Sequence, residues 1–321
     1  MKRLALLIAA RNAKPVVGRL LSSARRENSF DEILVYDDAS SDGTMEEARL
    51  HGATVIRGEM QIGPSAARNC LAQQSTCGWV HFHDAADELA SGFTDRARRW
   101  MAEVDCDAVL FATEDRDVFT GTRLSGCGWD EEILRADPVR FHIEHSVMLC
   151  GIYRRRAFLA SGGFDEDQAV RCDEHQAMHL RLALNGLRFR ADPHVGVIIY
   201  RRENSMSASD ATAAARARIE VLNRVALATG DRYQDAIGLL AWQLAGVCAS
   251  SNDWAAVERC LSMAARVGYV DPYHEHWLVR VVARFDAATA VRLREVVIRL
   301  LGPSRRARPP MPIQPVEGHV R

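Results

Sequence analysis

Glu32-Ile33-Leu34-Val35-Tyr36-Asp37-Asp38-Ala39-Ser40-Ser41-Asp42-Gly43-Thr44 sets an apolar run of strand length against an abrupt polar cluster. Ile33 to Tyr36 reads as a strand. It ends in two carboxylates, two hydroxyls, a third carboxylate and a glycine that can turn the chain. In open α/β sheets ligands bind beyond the carboxyl ends of the strands, so a polar cluster of this density reads as part of a ligand site. Taken alone, Asp37-Asp38 has a second reading as a solvated turn with an N-cap, because Met45 to Leu50 reads as a helix directly afterwards.

The surrounding sequence extends the pattern. Leu4 to Ala9 is a continuous apolar run, as expected of a strand buried on both faces. Pro15 to Arg25 carries Val16, Val17, Leu20 and Leu21 at helical spacing, and Thr54 to Ile56 is a short third strand. A βαβαβ opening of this kind implies right-handed crossovers and a parallel sheet. No Gly-x-Gly-x-x-Gly follows the first strand and no Gly-x-x-x-x-Gly-Lys-Ser/Thr occurs, so neither a dinucleotide fingerprint nor a P-loop is present. Gly63 to Gln73 predicts a helix with Ser65 in its first turn. Trp79 to His83 predicts a strand that delivers Asp84, Asp87 and Glu88 at its end. Two neighbouring strand ends with paired carboxylates suit a divalent cation or the hydroxyls of a sugar and a ribose. His81 and His83 share one strand face; they read either as hydrogen-bonded core histidines or as ligands of a transition metal.

The chain has 321 residues, 48% hydrophobic and 26% charged, with a formal net charge of -1, which excludes wholesale nucleic-acid binding and fits a soluble globular protein of one or two domains. Its eight cysteines are dispersed without Cys-x-x-Cys, as expected of thiols in a reducing compartment. Met1-Lys2-Arg3 followed by Leu4 to Ala10 superficially resembles a secretion signal, but the apolar stretch runs into Arg11-Asn12 and reads better as a first strand. Ala236 to Ala249 is interrupted by Gln243 and falls short of the roughly 20 residues that span a bilayer. The expected location is cytoplasmic.

From Ala211 to Leu301 the pattern is helical, with breaks at Gly230, Asn252-Asp253, Asp271-Pro272 and Asp286. No period of about 34 residues marks a repeat array, so the segment reads as a helical cap closing the flank of the sheet, with dimerisation or acceptor docking as its candidate tasks. Ala287 to Leu301 sets Leu293, Val296, Val297, Leu300 and Leu301 on one face. Arg305, Arg306 and Arg308 follow in a proline-rich stretch that reads as disordered. A packed helix with a solvated tail and a basic end touching an anionic membrane, which would make the protein peripheral at its inner face, are both readings of this pattern. The expected division is 1–210, 211–301 and a tail at 302–321.

Several short motifs occur in a telling order. Ala9-Ala10-Arg11-Asn12, Asp37 to Thr44, Ala67-Arg68-Asn69 and Phe82-His83-Asp84-Ala85-Ala86-Asp87 are followed by Tyr153-Arg154-Arg155-Arg156, Gly162-Gly163-Phe164-Asp165-Glu166, Leu180-Arg181-Leu182 and Tyr200-Arg201-Arg202 through Ser205-Met206-Ser207. Over residues 1–210 this series resembles family 2 glycosyltransferases of the GT-A fold. The resemblance implies an α/β, Rossmann-like nucleotide-binding domain with a mainly parallel sheet, here followed by an all-α segment. It implies transfer of a sugar from a nucleoside-diphosphate sugar, a UDP-sugar by preference, with inversion, to a glycan, lipid-linked or peptide acceptor.

The resemblance also assigns residues. Ala9, Arg11, Asp37 and Asp38 would recognise the base, Asp38 by accepting the imide hydrogen of a uracil. Arg68 would sit near the ribose or diphosphate, its other reading being a helix-surface arginine. Asp84 would lie at the ribose, and Asp87 would contact Mg2+ or Mn2+. Ala86 stands where the family's middle aspartate is usual, and Glu203-Asn204 where a histidine is frequent, so the metal-binding pattern departs from the family's at two positions. The base that takes the acceptor's proton falls on Glu174 or His175, after Asp173; the family's aspartate at 175 is a histidine here. Asp173 and Glu174 also suit a helix N-terminus through its dipole. These departures motivate the alternative of a catalytically degenerate nucleotide-sugar-binding protein. Trp129 is open between a sugar-stacking platform and packing, and Ser205 to Ser209 reads as a closing loop.

Overall fold

The computed structural model describes residues 2–27, 29–102, 105–201, 211–272 and 275–301. Arg202 to Asp210, which include Glu203-Asn204 and the expected closing loop, lie outside the described residues, as does the 302–321 tail.

The first half alternates strands and helices: β1 (Leu4–Ala10), α1 (Lys14–Glu27), β2 (Glu32–Asp37), α2 (Thr44–Leu50), β3 (Thr54–Arg57), α3 (Pro64–Gln74), β4 (Trp79–Asp84), β5 (Glu88–Leu89) and α4 (Phe93–Ala102). The second half continues with β6 (Ala108–Asp117), β7 (Arg123–Cys127), α5 (Glu131–Ala136), α6 (Pro138–Glu144), β8 (Gly151–Arg154), α7 (Arg155–Ala160), α8 (Glu174–Leu184) and β9 (Phe189–Arg201). Among the described residues helices alone follow: α9 (Ala211–Thr229), α10 (Gln234–Ser250), α11 (Trp254–Arg266), α12 (Trp277–Ala283) and α13 (Ala287–Leu301).

One nine-stranded sheet runs in the order β3-β2-β1-β4-β8-β6-β9-β5, with β7 paired to β6. It is parallel through β3, β2, β1 and β4. Beyond β4 it is mixed, because β8 enters antiparallel between β4 and β6. The apolar run of β1 serves both faces at the period of two that a strand imposes. Leu4, Leu6 and Ile8 join the core under α1 and α4, while Ala5 and Leu7 join the core under α3, α7 and α8.

The two carboxylate-bearing strand ends are not adjacent, as the sequence reading had them. β1 lies between them, pairing Ala10 with Asp37 on one side and Ala9 with Asp84 on the other. The helical segment packs one layer further out than a cap on the sheet's flank. Its core of Ile219, Leu222, Ile237, Trp242 and Val257 includes Ile143 from α6 and Ala177 and Leu180 from α8. Asp253 caps α11 by accepting from the Ala256 N–H at 3.2 Å. In α13 the packed residues are Ala290, Val291 and Ile298, and the stripe formed by Leu293, Val296, Val297 and Leu300 is exposed. None of the eight cysteines is joined in a disulfide.

Candidate active site

The carboxyl ends of β1 and β2 are locked together by their own polar side chains. The Asn12 N–H donates to Ser40 Oγ and the Ser41 N–H to Asn12 Oδ1, both at 3.0 Å. Asn12 (φ 48°) and Ala39 (φ 56°) take left-handed conformations that non-glycine residues seldom adopt, and such residues cluster where a site over-determines its backbone. Arg11 is exposed beside them.

Asp37 and Asp38 play different parts. Asp38 is buried and holds the loop before α3, its two carboxylate oxygens accepting from the Ile62 N–H at 2.7 Å and the Gly63 N–H at 3.0 Å. Asp37 is 1% exposed, and its Oδ1 has no hydrogen-bond partner. The free acceptor at the end of β2 therefore belongs to Asp37, and Asp38 shapes the loop beside it. Sequence could not separate these two roles, because Ile62 and Gly63 lie far along the chain.

Arg68 is the centre of the cluster and no surface residue. It rises from α3 with a side chain 5% exposed. Its Nη2 lies 2.6 Å from Asp84 Oδ1 and its Nη1 3.6 Å from Glu174 Oε1. Nε and Nη1 have no hydrogen-bond partner. Burial alone would raise the Asp84 carboxyl, but Arg68, His175 and His83 together outweigh burial and hold the group below the ordinary carboxylate range. Asp87 is pushed up to about 7 by its burial and by the neighbouring Asp84. Its Oδ1 accepts the Tyr200 N–H at 3.0 Å. Arg19 braces the same segment, donating to the Ala86 carbonyl and stacking 3.7 Å from the centre of the Tyr200 ring.

A cleft of about 160 Å³ opens between the start of α3 and the segment leading into α8. Gln61 to Ala66 form one wall; Asp165 to Gln168, Arg171 and Glu174 form the other. Asn69, next to Arg68, ties the walls together. Its Nδ2 donates to the Phe164 carbonyl at 3.0 Å and to Glu166 at 2.8 Å, and its Oδ1 accepts from the Phe164 N–H at 2.9 Å. Gly163 (φ 63°) passes so close that a Cβ there would meet Asn69 Oδ1 at 2.5 Å, so the glycine is required.

The three candidate bases part company at the start of α8. Glu174 is 6% exposed and lines the cleft. Asp173 is engaged by Arg218 of α9, with Nη2 to Oδ1 at 2.6 Å. Its carboxyl is raised by burial, against the pull of Arg218. His175 is half-buried, its Nε2 is unpartnered, and burial lowers its basicity while Asp84 opposes the shift. The roles of Asn69, Arg19, Tyr200, Arg171 and the Arg218 contact were not found from sequence. Asn69 and Tyr200 left a signal, as members of the Ala67-Arg68-Asn69 and Tyr200-Arg201-Arg202 motifs.

His81 and His83 are core histidines. His81 Nδ1 is 2.8 Å from the Gly151 carbonyl, and its ring stands 4.5 Å from that of Phe93. Trp129 is packing: it is 8% exposed and donates its indole N–H to the Phe111 carbonyl at 2.8 Å. Among the described residues no group of three or more His, Cys, Asp or Glu could hold a metal ion. Asp84 and Asp87 offer hard oxygen ligands, and magnesium is commonly bound by one or two carboxylates completed by substrate phosphates. The donor set therefore fits a divalent cation bound together with a diphosphate.

Residues 5–159 match the model of the family described as Glycosyl transferase family 2. The chain is 26% identical over 226 residues to the succinoglycan biosynthesis protein ExoU of Rhizobium meliloti (strain 1021), a match covering 64% of this chain and 64% of that protein. The chain thus spans just under two thirds of that relative's length. Among solved structures, S. aureus TarS 1-349 in complex with UDP-GlcNAc aligns with a TM-score of 0.56 at 17% identity, covering 83% of this chain and 92% of that one. The mannosyltransferase PcManGT from Pyrobaculum calidifontis, in complex with GDP-Man and Mn2+, aligns at 0.58 and 16% identity, covering 94% of this chain and 82% of that one. These structures share the GT-A fold with this chain. Among the described residues no helix is long and apolar enough to cross a membrane.

Proposed function

We propose that the chain, whose residues 5–159 match the family 2 glycosyltransferase model, is a member of that family and transfers a sugar from a nucleoside-diphosphate sugar to an acceptor with inversion. The observation that carries this reading is Arg68, a buried guanidinium between Asp84 and Glu174 whose Nε and Nη1 make no hydrogen bond within the protein. A buried, half-used fork of donors at this strand end suits the oxygens of a diphosphate.

In this proposal Asp37 or Asp38 accepts the imide N–H of a uracil, Arg11 lies over the base, and Ala9 keeps the approach open. UDP-sugar is the favoured donor class. The acceptor enters the cleft beside Glu174. Its hydroxyl oxygen attacks the anomeric carbon from the side opposite the diphosphate, Glu174 takes its proton, and the nucleoside diphosphate leaves with the bonding electrons. His175 is the second choice of base. Asp173 is set aside, since Arg218 occupies its carboxylate. Arg68 stabilises the charge that develops on the departing phosphate. Asp84 and Asp87 would hold Mg2+ or Mn2+, which when bound neutralises the diphosphate. The acceptor is a glycan, a lipid-linked sugar or a peptide.

One observation favours a second reading: Ala86 removes a carboxylate from the strand end, so a protein that binds the donor without turning it over is the alternative. Incubation of the full chain with UDP-N-acetylglucosamine, UDP-glucose and GDP-mannose separates the two. Release of nucleoside diphosphate, lost in Glu174→Gln, is the expected result. Tight binding without release would favour the second reading, and neither binding nor release would contradict both.

A further inference from the structure

Helix α9 reaches back from the helical segment to the acidic wall of the cleft and holds it at two points. Arg218 engages Asp173, directly before Glu174, with side-chain exposures of 13% and 9%. Its Nη2 also reaches Ser146 Oγ at 3.2 Å. Six residues on, Arg224 Nη1 lies 2.6 Å from Asp165 Oδ2 and its Nη2 2.6 Å from Asp167 Oδ2, so one guanidinium grips both neighbours of Glu166. Between these contacts Ile219, Val221 and Leu222 pack with Val170 and Ala177, the apolar residues of the same wall.

The wall needs such support. It leads into α8 through Cys172, whose φ of 78° is a conformation that side-chain-bearing residues rarely adopt and that surrounding contacts must hold. Arg218 is bound to the very next residue. On the inner side, Arg68 approaches Glu174 only at 3.6 Å and cannot fix it alone.

We propose that Arg218 and Arg224 are positioning residues for the cleft, and that α9 sets the orientation of Glu174 through Asp173 and of Glu166 through Asp165 and Asp167. The helical segment then completes the site. This rests on the reading of Glu174 given above, and its test separates the two ideas.

The full chain is compared with Arg218→Met, Arg218→Lys, Arg224→Met and, as a control, Arg280→Met. Arg280 pairs with Asp271 in the turn before α12, and it does not line the cleft. Three quantities are read: amide exchange over residues 165–174, affinity for UDP and GDP, and kcat and KM for hydrolysis of whichever of the three nucleotide sugars the wild type cleaves fastest. Misplacing a reacting group by about 1 Å can cost on the order of 100-fold, so Arg218→Met should lower kcat about 10- to 100-fold. Arg224→Met should lower it about three- to tenfold. Both should accelerate exchange over 165–174 without moving nucleotide affinity, Arg218→Lys should recover part of kcat, and Arg280→Met should change none of these.

Unchanged exchange over 165–174 with kcat within twofold of wild type would overturn the inference. Faster exchange with unchanged kcat would overturn it too, as would loss of kcat without faster exchange, since the arginines would then act on the ligand directly. Should Arg218→Met fail to fold, Arg218→Lys and Arg224→Met carry the test. A wild type that neither binds nor cleaves a nucleotide sugar would defeat the proposed function, and the exchange measurement would then decide the inference alone.

Discussion

Arg68 on the sheet and Arg218 and Arg224 on α9 bind carboxylates around the same cleft under opposite conditions. Arg68 is almost wholly buried and leaves Nε and Nη1 without a hydrogen bond, Nη1 reaching Glu174 only at 3.6 Å. Arg224, partly exposed, spends its three nitrogens on Glu220, Asp165 and Asp167. Arg218 grips Asp173 with two of its nitrogens and adds Ser146. Burying donors without acceptors is costly, so folds place them where a ligand supplies the acceptors. The contrast separates a region shaped for a ligand from one that is complete in itself and braces it.

Glu174→Gln tests the ligand-facing side most severely. Loss of a general base typically costs on the order of 10²- to 10⁴-fold, so kcat should fall by that amount while calorimetry finds nucleotide affinity unaltered. Full activity would move the base to His175. Arg68→Met should lower kcat/KM about 10²- to 10³-fold, as for other preorganised donors aimed at developing charge, and weaken nucleotide binding as well. Nucleotide affinity equal to wild type would erase the distinction between Arg68 and the arginines of α9.

Buried histidines sit under both regions, and acid should act on both. His81, under the donor end, and His179, in α8 behind the cleft, are each lowered to about 3 by burial. The folded protein keeps them neutral while the unfolded chain takes up protons below its ordinary value of about 6.5. Their contribution to stability is therefore complete above pH 6.5 and is lost as pH falls towards 3, at up to about 1.4 kcal/mol per pH unit for each. Urea unfolding between pH 7 and 4.5 checks this. His179→Asn should flatten the slope, and an unaltered slope would show that His179 contributes nothing. The smallest effect is local to the donor end: Ala39→Gly relieves a left-handed alanine, and because that strain exceeds the entropy gained by the unfolded chain it should raise stability by about 1 kcal/mol or less. A lower melting temperature would contradict it, and nucleotide affinity should not change.

The first four parallel strands were legible because apolar runs ending in polar clusters are local in sequence. The entry of β8 between β4 and β6 was not, since Gly151–Arg154 is short and its antiparallel placement depends on partners far along the chain. In the candidate site, Arg68, Asp84 and Glu174 were legible as residue types in order. Which carboxylates were already spoken for was not: Asp173 and Asp38 look like their neighbours in sequence and differ only through Arg218 and the Ile62–Gly63 backbone. The apolar stripe of α13 misled for a related reason, because small Ala290 and Val291 provide the closer packing face.

The central claim is that Nε and Nη1 of Arg68, which make no hydrogen bond within the protein, receive the diphosphate of a nucleotide sugar. Its most direct test is calorimetric titration of the wild type and Arg68→Met with UDP, GDP and TDP, each with manganese and again with a chelator. The account predicts that the wild type binds one of the three, most tightly with manganese, and that Arg68→Met weakens that binding at least tenfold, the scale of one lost charge-assisted contact. Equal affinity of the two proteins, or no binding by the wild type, would contradict it.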